Sequence, residues 1–301
     1  MNSQYDLRIA DGLNTALQEL RGFWKLWSAC LLRKCGVPTL AGIIVARLSP
    51  AWSEDIDRFL NAIGARAALI RHDKRPEFAP HPRGGFLVSA SMLDETVRFF
   101  LDLDRVVAVY EPADPLLNGY NANLLFESES EVTIEIVGSG FDASDLQRGD
   151  LSPHETLSAR LSSGGSVREL NLVQRVDAAA YKESVLLRKR KLQQKFESAP
   201  NPALARRIRE DLNIPDDLDD HLRAIKSPLV AAERYEPISE HLVSETVALI
   251  VESDVINAYR QMTGVSFPLN FSTSFIDHGM RQVFWDIVSP QLKFQGLTEQ
   301  R

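Results

Sequence analysis

Glu135 lies inside an apolar run, VTIEIVG (Val132–Gly138). Strand alternation places Thr133, Glu135 and Val137 on one face and Ile134 and Ile136 on the other. A carboxylate in such a strand is costly unless it meets a cation or hydrogen-bond donors. Gly138, Ser139 and Gly140 then make a tight exit, and Asp142, Asp145, Arg148, Asp150, His154 and Glu155 crowd the residues that follow. A buried strand glutamate feeding into these charges reads as the acidic, metal-binding end of a site.

Two further clusters carry possible chemistry. The run AALIRHD (Ala67–Asp73) delivers Arg71, His72 and Asp73 together at a strand end, and the following loop holds Lys74, Arg75, Arg83 and the pair Gly84-Gly85. Guanidinium forks bind phosphate oxygens bidentately, and glycines let backbone amides approach a phosphate. The second cluster is Glu111, at the end of an apolar strand, followed by Asn118, Tyr120, Asn121 and Asn123. Carboxylate and amide oxygens are ligands that magnesium accepts. Asn118-Gly119 reads as a turn, whereas Asn121 and Asn123 share one face of a strand.

Several familiar sites are excluded. Gly138–Gly140 lacks the third glycine of a dinucleotide fingerprint. The chain has no GxxxxGK[ST] and no G-x-S-x-G elbow. His72, His81 and His154 are scattered, and Cys30 and Cys35 have no partners at zinc spacing. The cysteines read as two reduced thiols in or beside a helix. The net charge of −7 argues against a chain-wide nucleic-acid footprint. The N-terminal residues show no signal-peptide pattern, and no run reaches the ~18 apolar residues of a membrane span. A cytoplasmic protein without membrane contact is expected.

The elements that must position these residues follow from periodicity. Leu13, Leu17, Leu20, Phe23, Trp24, Trp27 and Leu31 form one helical stripe over 13–32, ended by Gly36 in the left-handed position. GIIVARL (Gly42–Leu48) reads as a buried strand. A helix from Ser53 to Ile63 carries Ser53 as its capping residue and stops at Gly64. Strands then follow at Ala67–Arg71 and Gly84–Val88, a helix at Ser91–Leu101 and a strand at Arg105–Glu111. YNANLLFE (Tyr120–Glu127) and EVTIEIVG (Glu131–Gly138) read as a hairpin. Ser162–Ser166 is a hairpin tip or flexible turn. Helices are expected at Asp177–Phe196 and, as one long element, Ser239–Tyr259. Phe267–Ser272 fits a strand, and Arg281–Val288 fits a strand or a buried helical turn. The expectation is an α+β fold: a mixed sheet with flanking helices over residues 1–165 and a mainly helical region over 166–301.

On these residues the stretch 10–160 resembles the ATP-grasp superfamily. It is similar in layout to the nucleotide-binding half of phosphoenolpyruvate synthase and pyruvate phosphate dikinase. CGVPTLAGIIV (Cys35–Val45) looks like the family's helix, Gly-x-Pro, strand opening. ALIRHD (Ala68–Asp73) looks like its strand ending in a nucleotide-binding arginine. VVAVYEP (Val106–Pro112) resembles its hinge-side strand, and YNANLLFE with VTIEIVGSGFD its closing hairpin. RGDLSPHE (Arg148–Glu155) falls at its Gly-x-x-x-Pro segment. His72 and Asp73 stand where the family usually has two serines. The resemblance implies ATP and Mg²⁺ as cofactors. It implies Arg71 and Glu135 as catalytic residues, with Arg71, Lys74, Arg83, Gly84, Gly85 and Arg148 around the nucleotide. Glu135, with Glu111 or Asn123, would hold magnesium. The phosphate-holding lysine stays open between Lys34 and Lys74. The implied activity is that of an ATP- and magnesium-dependent ligase or phosphotransferase, acting on an unidentified small-molecule or peptide acceptor.

Two other readings accompany it. One is a catalytically inactive ATP-grasp-like scaffold, with Phe284-Trp285 and the helix Ser239–Tyr259 open to homo-oligomer contacts. The other is a nucleic-acid-binding regulator using the basic run Lys182–Arg209, nine Lys or Arg against two acids. Such runs are more often solvated helix faces, and Asp216–Asp220 is an obvious neutralising partner.

Overall fold

The computed structural model describes residues 4–47, 51–73, 85–113, 119–138, 141, 146, 151–197, 235–276 and 281–289. The chain divides into two compact units. One comprises Met1–Cys30, Leu40–Pro115 and Lys189–Ala224; the other comprises Leu31–Thr39, Leu116–Arg188 and Ile225–Arg301. The fold class is α+β, and every strand pair among the described residues is antiparallel.

The first unit holds a five-stranded sheet. Its strands are β1 (Gln4–Asp6), β2 (Gly42–Val45), β3 (Ala67–Asp73), β4 (Gly85–Ser89) and β5 (Val106–Tyr110), in the order β1-β2-β5-β3-β4. Ile43, Val45, Ala68, Ile70, Val88, Val107 and Val109 share one core. Helices α3 (Trp52–Ile63) and α4 (Leu93–Leu101) add Trp52, Ile56, Phe59, Val97 and Phe100 to it. Gly42 is required by close approach: a Cβ there would lie 2.6 Å from both the Val109 carbonyl and the Tyr110 ring.

The expected single helix over 13–32 is two helices, α1 (Ala10–Glu19) and α2 (Trp24–Lys34). The stripe is continuous in sequence, but the chain turns at Leu20–Phe23. The buried carboxylate of Asp73 accepts the N–H groups of Lys25 and Leu26 at 2.7 and 3.2 Å, and so starts α2 afresh. Ser53 does not cap α3. The capping position is Ala51, and the Ser53 hydroxyl instead donates to Asp94. Gly36 and Gly64 do take the left-handed conformation, at φ 78° and 65°.

The second unit holds a six-stranded sheet in the order β11-β10-β6-β7-β8-β9. The predicted hairpin is β6 (Tyr120–Phe126) with β7 (Glu131–Val137). β8 (Glu155–Leu161) and β9 (Val167–Arg175) flank the Ser162–Ser166 tip. Neither strand is expected from the sequence, whose charges at Arg148–Glu155 suggest a loop. β10 (Leu269–Ile276) and β11 (Arg281–Val288) complete the sheet, so the C-terminal region contributes strands as well as helices. After β9 comes α5 (Ala178–Glu197). The expected helix 239–259 divides into α6 (Glu240–Glu252) and α7 (Val255–Thr263) at Asp254, which sits at φ 58°. Ser239 caps α6 by accepting the Leu242 N–H. No helix among the described residues is long and apolar enough to cross a membrane.

Candidate functional site

Register across the six-stranded sheet assembles one polar row. Asn123 on β6 stands opposite Glu135 on β7, and Glu135 stands opposite Thr156 on β8. On the other side Ser272 of β10 faces Asn123, and Asp286 of β11 faces Ser272. Directly opposed residues point to the same face, so five polar side chains line one side of the sheet. The other side carries Ala122, Leu124, Ile134, Ile136, Leu157 and Phe271, all buried. Sheet spacing of about 4.8 Å makes Asn123 and Glu135 neighbours and puts Asp286 roughly 14 Å from Glu135 along the row.

Asn123, Ser272 and Asp286 are buried, and Ser272 donates to the Asp286 carboxylate at 2.6 Å. Glu135 is half-buried, and that burial alone pushes its carboxyl pKa above the usual glutamate range. Ser272 and Thr156 do not stand out from the sequence by type or spacing. Asp286, also unexpected, carries the same cue as Glu135, an acid inside an apolar strand run.

The exit from β7 is built from buried groups. The Gly138 N–H donates to His154 Nδ1 at 3.0 Å, which leaves the proton of the neutral ring on Nε2. The His154 ring packs against Phe141, Tyr181 and Tyr235, with centroids 4.5, 5.0 and 5.5 Å away. Burial lowers its pKa to about 4. Glu155 is also buried. It accepts from Arg175 at 2.5 and 3.1 Å and from the Tyr235 hydroxyl at 3.2 Å. Burial, then the Glu155 charge, push the Tyr235 pKa up. His154 and Glu155 were expected in a charged loop; they are packed and bonded inside the unit instead. Asp142, Asp145, Arg148 and Asp150 lie outside the described residues.

In the first unit, Arg71 on β3 stands between Ala108 of β5 and Gly85 of β4. Both cross-strand neighbours are small, and the Arg71 side chain is half-buried. The strand therefore brings Arg71 and Gly85 together. His72 stacks on Phe100 at 4.1 Å, and Arg105 NH1 lies 2.8 Å from His72 Nδ1. Asp73, besides starting α2, acts on the buried Arg105, whose pKa desolvation lowers and Asp73 raises. His72 and Asp73 thus have structural partners. Glu111 accepts the Ala41 N–H at 3.0 Å while its own N–H donates to the Ala41 carbonyl. Glu111 belongs to the first unit and the pair Asn123–Glu135 to the second. Lys74, Arg83 and Gly84 lie outside the described residues.

The donors of the row are hard oxygens: two carboxylates, an amide and two hydroxyls. Magnesium keeps several waters and uses one or two protein carboxylates together with substrate phosphates, so Asn123 and Glu135 fit that role. Three His, Cys, Asp or Glu side chains do not gather into a metal cluster among the described residues.

No protein-family model and no curated protein matches the chain. Solved structures do. D-alanyl-alanine synthetase A from Vibrio cholerae is similar over 93% of this chain and 60% of its own, at TM-score 0.42 and 8% identity. The chain thus spans about 60% of that enzyme's length. A D-cycloserine synthetase matches over 56% of this chain and 70% of its own, at TM-score 0.29 and 17% identity. The D-alanine-D-alanine ligase from Coxiella burnetii matches over 68% of each chain, at TM-score 0.30 and 14% identity. These likenesses concern the course of the chain.

Proposed function

We propose that the chain is an ATP- and magnesium-dependent ligase or phosphotransferase of ATP-grasp type. The layout of residues 10–160, with its likeness to the nucleotide-binding half of phosphoenolpyruvate synthase, belongs to the same proposal. The observation that carries it is the pairing of Asn123 with Glu135. A half-buried carboxylate with a raised pKa stands beside a buried amide on the polar face of a sheet. Desolvation makes such a carboxylate a better partner for a divalent cation than an exposed one, because less water must be displaced on binding.

In this reading the Glu135 carboxylate and the Asn123 side-chain oxygen hold Mg²⁺. A bound magnesium supplies neutralisation of the phosphate charge, on which phosphoryl transfer depends together with positioning. Arg71 of the first unit is proposed separately as a phosphate-binding fork, with Gly85 and Ala108 as its cross-strand neighbours. The acceptor is a small molecule or peptide.

The test is calorimetric titration with ATP, with and without Mg²⁺. Binding that requires Mg²⁺, and is weakened at least tenfold by Glu135→Gln or Arg71→Ala, supports the reading. No heat and no thermal shift with wild-type protein sinks it.

A second reading is nucleotide binding without turnover. It is favoured by Glu111, whose carboxylate accepts the Ala41 N–H. Mg²⁺-dependent binding with no phosphate or ADP released across a panel of carboxylates and amines would select it.

A further inference from the structure

A continuous hydrogen-bond relay runs through the second unit and ends on the main chain beyond β7. The Trp285 indole N–H donates to Ser274 Oγ at 2.5 Å. The Ser274 hydroxyl donates to Asn121 Oδ1, and the Asn121 amide N–H donates to the Phe141 carbonyl. Phe141 N–H in turn donates to the Gly138 carbonyl at 3.3 Å, and Gly138 N–H donates to His154. The main chain at Gly138 and at Phe141 is therefore held from both sides, by His154 on the Gly138 amide and by Asn121 on the Phe141 carbonyl.

The relay is deeply placed. Asn121, Ser274, His154 and Phe141 are all at most 2% exposed. Ser274 stands opposite Asn121 in the β10–β6 register, and Asn121 opposite Val137, the last residue of β7. Trp285 is the extra residue where the β10–β11 register shifts, between Phe284 and Asp286. A bulge of this kind re-aims a side chain, and here it directs an indole N–H onto Ser274. An apolar core would hold these strands together without buried amide and hydroxyl groups, whose burial is costly unless every one is matched. What the relay adds is a fixed position for one carbonyl, six residues beyond Glu135.

We infer that Asn121, held by Ser274 and Trp285, is a positioning residue that fixes the main chain at Gly138 and Phe141 and with it the nucleotide-facing setting of Glu135 and Asn123. The inference rests on the ATP reading for the ligand, but the relay itself is tested separately.

The experiment compares wild type, Ser274→Ala, Ser274→Thr and a core control, Phe271→Leu, in the full chain. Ser274→Ala removes the middle of the relay and adds no charge. Amide hydrogen exchange is read at Gly138 and Phe141 and across the β6–β10 ladder, and Mg-ATP affinity is read by calorimetry. With the relay acting as inferred, Ser274→Ala speeds exchange at Gly138 and Phe141 by about fivefold or more, the scale of one lost hydrogen bond. The ladder changes less. Mg-ATP affinity falls by a similar factor, Ser274→Thr restores both, and Phe271→Leu leaves affinity unchanged despite its stability loss. Exchange at these two amides rising no more than in the ladder overturns the inference. So does faster exchange there with unaltered Mg-ATP affinity. If wild type binds no Mg-ATP, the ATP reading falls, and selective exchange at Gly138 and Phe141 with rescue by Ser274→Thr alone decides the relay.

Discussion

Asn123 and Glu135 stand directly opposite each other on β6 and β7, so an amide and a half-buried carboxylate share one face of an antiparallel pair. Neither strand could expose this pair by itself. The hairpin brings the two together, and Ser272 and Asp286 extend the row on the other side of Asn123.

Glu135→Gln separates ligand binding from stability. The folded carboxyl titrates above its unfolded value, so the folded state binds the extra proton. Its favourable contribution is therefore present below the unfolded glutamate pKa and is lost as pH rises through the folded one. The variant is expected to be at least as stable as wild type at pH 7.5, with a flatter dependence of melting temperature between pH 4 and 7.5. Parallel melting series check this, and the same protein should lose the Mg²⁺ dependence of ATP binding.

His154 gives the opposite sign. Its folded pKa is lowered from 6.5 to about 4 by burial. The stability tied to its neutral form is complete above pH 6.5 and is lost as pH falls towards 4. Over that interval the loss is roughly 3 kcal/mol. Urea unfolding at pH 7.5 and 4.5 reads it directly. His154→Phe keeps an aromatic ring but lacks the acceptor for Gly138 N–H, so it should be less stable at pH 7.5 and lose less on acidification.

Removing Arg175 leaves the buried Glu155 carboxylate with the Tyr235 hydroxyl and without its cation. Arg175→Met is expected to cost about 2 kcal/mol, less than a fully buried pair because 41% of the Arg175 side chain meets solvent. Glu155→Gln should cost less than Arg175→Met, since no uncompensated charge is buried. Equal losses in chemical denaturation would contradict this account.

Asp73 is expected to behave as a structural acid. Asp73→Ala removes the acceptor for the Lys25 and Leu26 N–H groups and the charge facing buried Arg105. A loss of about 1 kcal/mol follows from the cap alone. Asp73→Asn should recover part of it, because an amide oxygen still accepts. A variant that melts like wild type but binds ATP more weakly would reassign Asp73 to the ligand.

Much of the strand and helix content was legible because apolar residues recur at period two or near 3.6 whatever the strands later pair with. The hairpin Tyr120–Val137 and the glycine stops at Gly36 and Gly64 follow from local rules. The errors have one physical origin. The stripe over 13–32 continues past a turn because Asp73, 48 positions from Lys25, supplies the capping oxygen. The run Ser239–Tyr259 reads as one helix because its apolar spacing does not reveal the left-handed Asp254. β8 and β9 were missed because their polar residues face Glu135 and solvent, which blurs alternation.

Sequence alone determined that Glu135 is anomalous, since an acid between isoleucines in a strand is conspicuous without any partner in view. It also determined that Asn121 and Asn123 share a face. Only the tertiary structure decided that Asn123 is Glu135's neighbour, that Asp286 and Ser272 continue the row, and that Asn121 turns instead to Ser274 and the Phe141 carbonyl. Register between strands is set by how whole faces are buried against a common core, and partners up to 153 positions apart in the chain meet only when that core forms.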